Sequence, residues 1–251
     1  MFKSTTLPGC ARPRTVLKNR GTPSDALRTV LFDLDGTLAD TAPDLAYALN
    51  QLLAEQGQAG LPVERVRPLI SLGGRALVEL GCGLPREAPS FEALYLRFLS
   101  LYQENLATRT ELFPEMEAVL AHLEAEHMNW GIVTNKVAFL TVPLVQALGL
   151  AERAACVISG DSTPRPKPHP DPLLLACEQT GSHPRQCLYV GDAPRDIVAG
   201  RRAGMRTLVA LFGYIPTGED PLQWGAAGAI TTPIELIRWL DAARAWSTQH
   251  R

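Results

Sequence analysis

The sequence predicts an α/β protein with a doubly wound, Rossmann-like parallel sheet core and a small all-helical domain inserted into it. Two observations favour this fold class. Short apolar runs bounded by polar residues or glycine alternate with longer segments in which apolar residues recur every three or four positions, and residues 43–112 carry the helical pattern alone. Buried parallel strands give runs of the first kind, and crossover helices give segments of the second kind.

Composition bounds the remaining possibilities. The chain of 251 residues is 46% hydrophobic and 20% charged, which is enough to bury one sizeable core and a second small one. No apolar segment approaches the roughly 20 residues of a membrane-spanning helix, so we expect a cytoplasmic protein without a membrane partner. The net charge of −2 gives no general attraction to nucleic acid, and no such partner is expected. For the oligomeric state we expect a monomer or a weak homodimer.

The five cysteines are widely spaced, without the close pairs of a zinc site or the regularity of a disulfide framework, so reduced thiols are expected. Residues 1–28 differ from the rest of the chain. Six basic side chains there accompany a single acidic one, Asp25, without any periodicity. Such a segment buries too little apolar surface to fold alone, so we predict a flexible basic N-terminal extension that activity does not require.

The strands and crossover helices of the core are predicted over residues 29–42 and 113–251. Each strand candidate is brief and apolar, and each helix candidate carries apolar residues at spacings of three and four. In chain order, the predicted strands are Val30–Phe32, Trp130–Val133, Cys156–Ser159, Leu188–Val190 and Thr207–Leu211. The predicted helices are Met116–Glu126, Leu140–Leu148, Pro172–Gln179 and Asp196–Ala203.

Residues 43–112 are too long for a crossover, and we predict that they form a helical cap. Helical patterns recur there with no convincing strand, over Asp44–Gln56, Glu64–Leu69, Arg75–Leu80 and Phe91–Asn105. An insertion directly after the first strand lies over the strand ends, where doubly wound folds bind their ligands. A cap at that place excludes water and selects the substrate.

Polar side chains follow the first four predicted strands, and the carboxyl ends of parallel strands meet at one edge of the sheet. Closely packed carboxylates repel one another unless a cation neutralises them, and an oxygen-rich set without His or Cys suits Mg²⁺. The sequence therefore predicts a Mg²⁺ site at this edge. The side chains are Asp33 and Asp35 with Gly36, then Thr134 and Asn135, then Lys167 after the third strand, and then Asp192 and Asp196.

Four ordered motifs carry a resemblance to a known family. They are "DLDGT" after the first strand, "TN" after the second, "RPKPHPDP" before a helix and "VGDAPRDI" after the fourth strand. Together they resemble the motifs of the haloacid dehalogenase superfamily, on its phosphatase branch, from Val30 to about Leu240. The cap resembles that of the phosphoglycolate phosphatase group. The segments "ALGLAER", "PLLLACEQ", "GYIPTGEDPLQWGA" and "ISLGGRALV" are most similar to the N-acetylmuramic acid 6-phosphate phosphatases of that group.

The resemblance implies a Mg²⁺-dependent phosphomonoesterase that acts on a small phosphorylated metabolite. Asp33 would attack phosphorus and form an aspartyl-phosphate, and Asp35 would be the general acid and then the general base. Asp33, Asp192 and the backbone carbonyl of Asp35 would bind the metal. Asp196 would order these ligands from behind.

The remaining motif residues are expected to contact the substrate. Thr134 and Lys167 would hold the phosphoryl oxygens, with the lysine offsetting charge on the nucleophile. Gly36 lets the backbone turn close to the phosphate, and Asn135 positions a substrate group. On the cap, Arg75 would pair with a substrate carboxylate, which both 2-phosphoglycolate and a lactyl-bearing sugar phosphate possess. The alternative for its "GGR" segment is a turn that joins two helices.

Two other functions stay open on the sequence alone. A sugar phosphomutase of the same superfamily would keep both motif aspartates and return the phosphoryl group to a sugar hydroxyl. A non-catalytic sensor of phosphorylated metabolites would use the same scaffold, although it has no need of both a nucleophile and a proton donor. A dehalogenase is disfavoured, because its chemistry at carbon requires neither Asp35 nor a metal site.

Overall fold

The computed structural model describes residues 26–249, so residues 1–25 of the predicted N-terminal extension lie outside the described residues. The strands in this part of the chain are β1 (Thr29–Phe32), β2 (Ala39–Asp40), β3 (Glu111–Leu112), β4 (Asn129–Val133), β5 (Val157–Ile158), β6 (Cys187–Gly191), β7 (Arg206–Ala210) and β8 (Gly228–Ile230). The α-helices are α1 (Ala42–Glu55), α2 (Val63–Val66), α3 (Gly74–Cys82), α4 (Phe91–Glu104), α5 (Met116–Ala125), α6 (Ala138–Ala147), α7 (Asp171–Thr180), α8 (Pro194–Ala203) and α9 (Glu235–Gln249).

Six strands form one parallel sheet in the order β5-β4-β1-β6-β7-β8. Strand β1 lies between β4 and β6, with Phe32 beside Ile132 and Val190. The chain builds one half of the sheet and then crosses to the other side of β1, so the carboxyl ends of these three strands border a crevice where ligands bind. The predicted doubly wound parallel fold is confirmed.

Two apolar layers cover the sheet. Because successive side chains of a strand point to opposite faces, Val30 and Phe32 join one buried cluster while Leu31 joins another. The first cluster includes Leu120 of α5, and the second includes Ala199 of α8. Burial on both faces explains why the central strands read as continuous apolar runs.

Helices α1 to α4 lie between β2 and β3 and pack on one another. Leu49 and Leu52 of α1, Leu77 of α3 and Phe98 of α4 are buried, and they belong to the same apolar cluster as one face of the sheet. The helical insertion therefore packs directly against the core, and the two share one apolar cluster.

The two chain segments that join this insertion to the core are tied together. Strands β2 and β3 pair antiparallel, with Ala39 opposite Leu112. The carboxylate of Asp44, near the start of α1, accepts hydrogen bonds from the backbone amides of Arg109 and Thr110 at 2.9–3.0 Å and from the Thr110 hydroxyl at 2.8 Å. The two segments that connect the insertion to the core are thus bonded to each other side by side.

Three elements differ from the sequence expectations. The expectation of no strand within 43–112 is wrong for Glu111–Leu112, because two residues are too few to show a periodicity and only pairing with β2 makes them a strand. The sheet has a sixth strand, β8, whose sequence GAI is too small and weakly apolar to stand out. Helix α9 was also not predicted, and it packs near α5.

None of the helices in the described part of the chain is long and apolar enough to cross a membrane. The four cysteines in that part, which are Cys82, Cys156, Cys177 and Cys187, are buried and free, as expected, whereas Cys10 lies outside it.

Candidate active site

Asp33 is fixed at the carboxyl end of β1. Its backbone amide donates to the carbonyl of Val190 at 2.9 Å, which extends the ladder between β1 and β6 by one residue. One of its carboxylate oxygens accepts from the amide of Leu34 at 2.8 Å, and the residue is only 2% exposed. The carboxylate is therefore held in one orientation at the edge where ligands bind.

Lys167 joins the acidic groups from the loop before α7. Its Nζ lies 2.9 Å from Asp33 Oδ1 and 2.7 Å from Asp196 Oδ1. It also donates to the carbonyl of Val133 at 3.0 Å and to the hydroxyl of Tyr189 at 2.7 Å. These four oxygen partners fix the orientation of the buried ammonium. Moving it away from the two carboxylates would leave unpaired charge in the interior.

Asn135 holds the backbone of Lys167. Its side-chain Nδ2 donates to the Lys167 carbonyl at 2.9 Å, and its Oδ1 accepts from the Lys167 amide at 3.0 Å. Both ends of the amide thus have partners, and the residue acts on the lysine loop; its substrate contact stays a prediction. Thr134 beside it lines the cavity described below, and its contact with a phosphoryl oxygen stays a prediction.

Asp192 is fully buried at the end of β6. Its Oδ2 accepts from the Tyr214 amide at 2.8 Å and from the hydroxyl of Ser71, a cap residue, at 3.2 Å, and its Oδ1 accepts from Thr37 at 3.3 Å. Gly36 has a φ of +83°, and a Cβ there would collide with the Asp192 carboxylate. Glycine at this position therefore permits both the left-handed turn and the close approach.

Asp33, Asp192 and Asp196 form a compact acidic cluster. Each offers a carboxylate oxygen, and these atoms lie within 4.8 Å of one another. Burial raises the pKa of Asp192 to about 7, and the charges of Asp33 and Asp196 add to the rise. Burial and then Asp196 raise the pKa of Asp33 as well. Burial alone would raise the pKa of Asp196 too. The positive charges of Lys167 and Arg195 outweigh this effect and hold the pKa of Asp196 below its ordinary value.

This cluster fits a divalent cation. One lysine compensates the two carboxylates it touches, whereas burial and the charges of Asp33 and Asp196 keep the pKa of Asp192 raised. A cluster of hard oxygen donors without His or Cys matches Mg²⁺, which takes one or two carboxylates together with water and phosphate oxygens. Asp196 has partners at both carboxylate oxygens, since the one that does not contact Lys167 accepts from the Ala193 amide at the start of α8.

Asp35 points away from that cluster. Its Oδ1 accepts from Lys136 Nζ at 2.6 Å and from the Thr41 hydroxyl at 2.7 Å, and the residue lines the cavity. Its side chain is thus separate from the acidic cluster, and the metal contact through its backbone carbonyl stays a prediction. Lys136 is 4.7 Å from the ring centre of Tyr102, a cap residue.

A cavity of about 260 Å³ lies between core and cap. Its core side carries Asp33, Asp35, Thr134, Lys136 and Arg195. Its cap side is apolar and aromatic, with Leu77, Tyr95, Phe98, Leu99 and Tyr102. The cavity therefore joins these polar side chains to an apolar wall that lies mostly on the cap, with Val137 and Leu140 contributed by the core.

Arg75 is not one of the residues that line this cavity. Its guanidinium makes two hydrogen bonds with the Glu92 carboxylate, at 2.6 and 3.1 Å, on the exposed surface of the cap. It also lies 4.2 Å over the ring of Tyr95. The structure thus gives this arginine partners within the cap, and "GGR" is the turn that joins a short 3-10 segment to α3.

Several site residues escaped the sequence reasoning. Tyr189 occupies an inward position of a strand that reads only as apolar, and Ser71 and Tyr214 reach Asp192 from segments far away in the chain. Two of them could have been noticed, because Lys136 directly follows the "TN" motif and Arg195 lies inside "VGDAPRDI". Nothing in the sequence, however, says which way either side chain points.

Comparisons with known proteins identify the family of the chain. The family model of haloacid dehalogenase-like hydrolases matches residues 30–210. An N-acetylmuramic acid 6-phosphate phosphatase from Pseudomonas putida is 44% identical over 86% of this chain and 97% of its own length. A phosphoglycolate phosphatase from Xanthomonas campestris is 42% identical over 86% of this chain and 96% of its own length.

Solved structures resemble the chain as well. A crystal structure of a predicted phosphoglycolate phosphatase from Haemophilus somnus superposes with a TM-score of 0.76 and 27% identity, over 84% of this chain and 97% of that one. The family resemblance of the four motifs is thereby confirmed. The chain belongs to the haloacid dehalogenase-like hydrolase family.

Proposed function

We propose that this chain is a Mg²⁺-dependent phosphomonoesterase that hydrolyses a small phosphorylated metabolite through an aspartyl-phosphate. One observation carries the proposal. A buried nucleophile candidate, Asp33, lies in contact with the ammonium of Lys167 and within reach of Asp192, in a cavity lined by core and cap. Phosphoryl transfer requires little from a protein except such positioning and charge.

In the first step, an oxygen of Asp33 forms a bond to phosphorus while the bond from phosphorus to the leaving oxygen breaks. Asp35 acts as the general acid and gives a proton to that leaving oxygen. Lys167 and Thr134 hold the phosphoryl oxygens as charge spreads over them. The alcohol product then leaves through the cavity.

In the second step, water attacks phosphorus, Asp35 takes its proton, and Asp33 departs as a carboxylate. Lys136 and Thr41 hold the Asp35 carboxylate in place throughout. A Mg²⁺ ion bound by Asp33, Asp192 and the Asp35 carbonyl would supply positive charge against the phosphoryl oxygens. The cap excludes bulk water, which strengthens each of these electrostatic contacts.

For the substrate we propose N-acetylmuramic acid 6-phosphate, with 2-phosphoglycolate as the second candidate. Relatives carry both names at similar identity. The aromatic and apolar cap wall, which includes Leu77, Tyr95 and Phe98, supports the larger molecule. A sugar ring with acetamido and lactyl groups has apolar faces to place on that wall, whereas a two-carbon acid has none.

A phosphate-release assay tests this function. Purified protein with Mg²⁺ is given N-acetylmuramic acid 6-phosphate, 2-phosphoglycolate and hexose phosphates, with EDTA and the variant Asp33→Asn as controls. We expect the first compound to have a kcat/KM at least about tenfold above the others, which equals about 1.4 kcal/mol of transition-state binding. A tenfold preference for 2-phosphoglycolate would reverse the substrate assignment. No Mg²⁺-dependent release from any ester would refute the enzyme.

The products of the same reactions distinguish the phosphatase from a phosphomutase and from a non-catalytic sensor. A phosphomutase would need a sugar bisphosphate for activation and would yield an isomeric sugar phosphate rather than free phosphate. A sensor would bind a phosphorylated sugar without turning it over, and Asp33→Asn would leave its biological activity intact.

A further inference from the structure

The cavity wall contains an arginine that no part of the mechanism uses. Arg195 lies at the start of α8, between the metal-ligand candidate Asp192 and the buried Asp196. Its Nη1 donates to the backbone carbonyl of Ser71 on the cap. It is therefore a core residue that faces the substrate cavity and contacts the cap at the same time.

The other cations of the site already have carboxylate partners. Lys167 contacts Asp33 and Asp196, and Lys136 contacts Asp35. Arg195, by contrast, forms no ion pair within 4.0 Å with any residue that the structure describes. Asp196, Asp33 and Asp192 are near enough to raise the pKa of Arg195 against the effect of burial, but none of them forms an ion pair with it, so its guanidinium can still bind an anionic group that enters the cavity.

Two buried polar atoms on the cavity wall also lack partners. Within residues 26–249, Arg195 Nε and the Tyr102 hydroxyl are shielded from solvent and have no hydrogen-bond partner. Leaving a buried donor unsatisfied costs about 1–3 kcal/mol, and more for a charged group. Natural sites carry that cost where a ligand completes the bonding.

We infer that Arg195 binds the carboxylate of the substrate's leaving group and thereby determines specificity, an inference that rests on the proposed function. A guanidinium presents its donors as a planar fork that matches a carboxylate in two hydrogen bonds. The phosphoryl oxygens have Lys167 and Thr134, whereas Arg195 lies where core and cap meet and the leaving group extends from the phosphate. Arg195, rather than Arg75, is thus the carboxylate receptor of this chain.

The experiment uses pairs of esters that differ in the carboxylate. N-Acetylmuramic acid 6-phosphate is compared with N-acetylglucosamine 6-phosphate, which lacks the lactyl group, and 2-phosphoglycolate is compared with 2-hydroxyethyl phosphate. We expect Arg195→Gln to lower kcat/KM on the carboxylated member of the preferred pair by about 30-fold or more and to change the other member by less than about threefold. Arg195→Lys, which keeps the charge without the fork, recovers only part of the loss.

Matched controls separate recognition from structure. Arg201→Gln removes the same charge from an exposed position of the same helix and leaves both members of each pair unchanged. If Arg195 only held the cap or the phosphoryl group, Arg195→Gln would slow both members equally, and that result overturns the inference.

A binding measurement keeps the inference separate from catalysis. By calorimetry with Mg²⁺ and inorganic phosphate present, N-acetylmuramic acid binds the wild-type protein more tightly than N-acetylglucosamine does, and Arg195→Gln abolishes the difference. A wild-type protein that turns over no ester but keeps this Arg195-dependent difference refutes the phosphatase and supports the carboxylate receptor. Either of two results overturns the inference about Arg195. One is that wild type and Arg195→Gln each bind N-acetylmuramic acid and N-acetylglucosamine equally well. The other is that Arg195→Gln lowers kcat/KM equally for both members of an ester pair.

Discussion

Metal-free protein is expected to lose stability as the pH rises from about 5 to 8, because Asp192 must release a proton inside the acidic cluster. Burial, together with Asp33 and Asp196, raises its pKa from 3.8 to about 7. A carboxyl whose pKa is higher in the folded state stabilises the fold fully below the unfolded value of about 4, and this contribution is lost as the pH rises through 7. The full difference corresponds to about 4 kcal/mol, of which about 3 kcal/mol falls between pH 5 and the folded-state pKa near 7.

The neighbouring groups do not cancel this effect. The raised pKa of Asp33 acts in the same direction. The lowered pKa of Asp196 acts in the opposite sense. Its contribution to stability is fully present above the unfolded pKa of about 3.8 and is lost only at lower pH, so it stays constant between pH 5 and pH 8. The slope between about pH 5 and pH 8 therefore reports the unneutralised carboxylates of the cluster.

Urea unfolding in EDTA at several pH values in this window measures the slope. Adding Mg²⁺ at pH 8 is expected to restore stability, by about 2.7 kcal/mol at a hundred times the dissociation constant. The variant Asp192→Asn is expected to show a reduced slope, to exceed wild type in stability at pH 8 in EDTA, and to gain little from Mg²⁺. Equal slopes for wild type and Asp192→Asn, or a wild type that Mg²⁺ does not stabilise, would refute this reasoning.

Two further substitutions test how the site is built. Gly36→Ala places a side chain at a φ of +83° and against the carboxylate of Asp192. We expect the free energy of unfolding to fall by about 1–2 kcal/mol from the backbone conformation alone, and the rise in melting temperature on adding Mg²⁺ to be smaller than in wild type. An unchanged rise would contradict this. Tyr189→Phe keeps the shape of the core but removes the hydroxyl that accepts from Lys167 and donates to the Val133 carbonyl. It should cost about 1–3 kcal/mol in urea unfolding and lower kcat more than it raises KM; a change in KM alone would show that the lysine does not depend on Tyr189.

The sequence was informative where chemistry and local pattern coincide. The sheet follows from brief apolar runs, and the position of Asp33 follows from its place at the end of one of them, because parallel strands bring their carboxyl ends together. The same reasoning located Lys167 in a loop near Asp33, and Asp192 after β6. These predictions needed only the order of motifs along the chain.

The remainder depends on contacts that no local pattern encodes. The side chain of Arg75 was assigned to the cavity because arginine suits a carboxylate, yet Glu92 lies one helix away on the cap and engages it. The direction of a long flexible side chain is set by whichever partner the packed structure brings near. For the same reason Arg195, hidden inside a motif beside two aspartates, becomes recognisable as a cavity residue only once the cap is in place.

Trapping the phosphoenzyme tests the central claim most directly. Protein mixed with Mg²⁺ and its preferred ester is quenched in acid within milliseconds, digested with pepsin and examined by mass spectrometry. One phosphoryl group is expected on the peptide containing Asp33, and none after the same treatment of Asp33→Asn. Release of phosphate with the label absent from Asp33 or carried by another residue, or continued turnover by Asp33→Asn, would contradict the account.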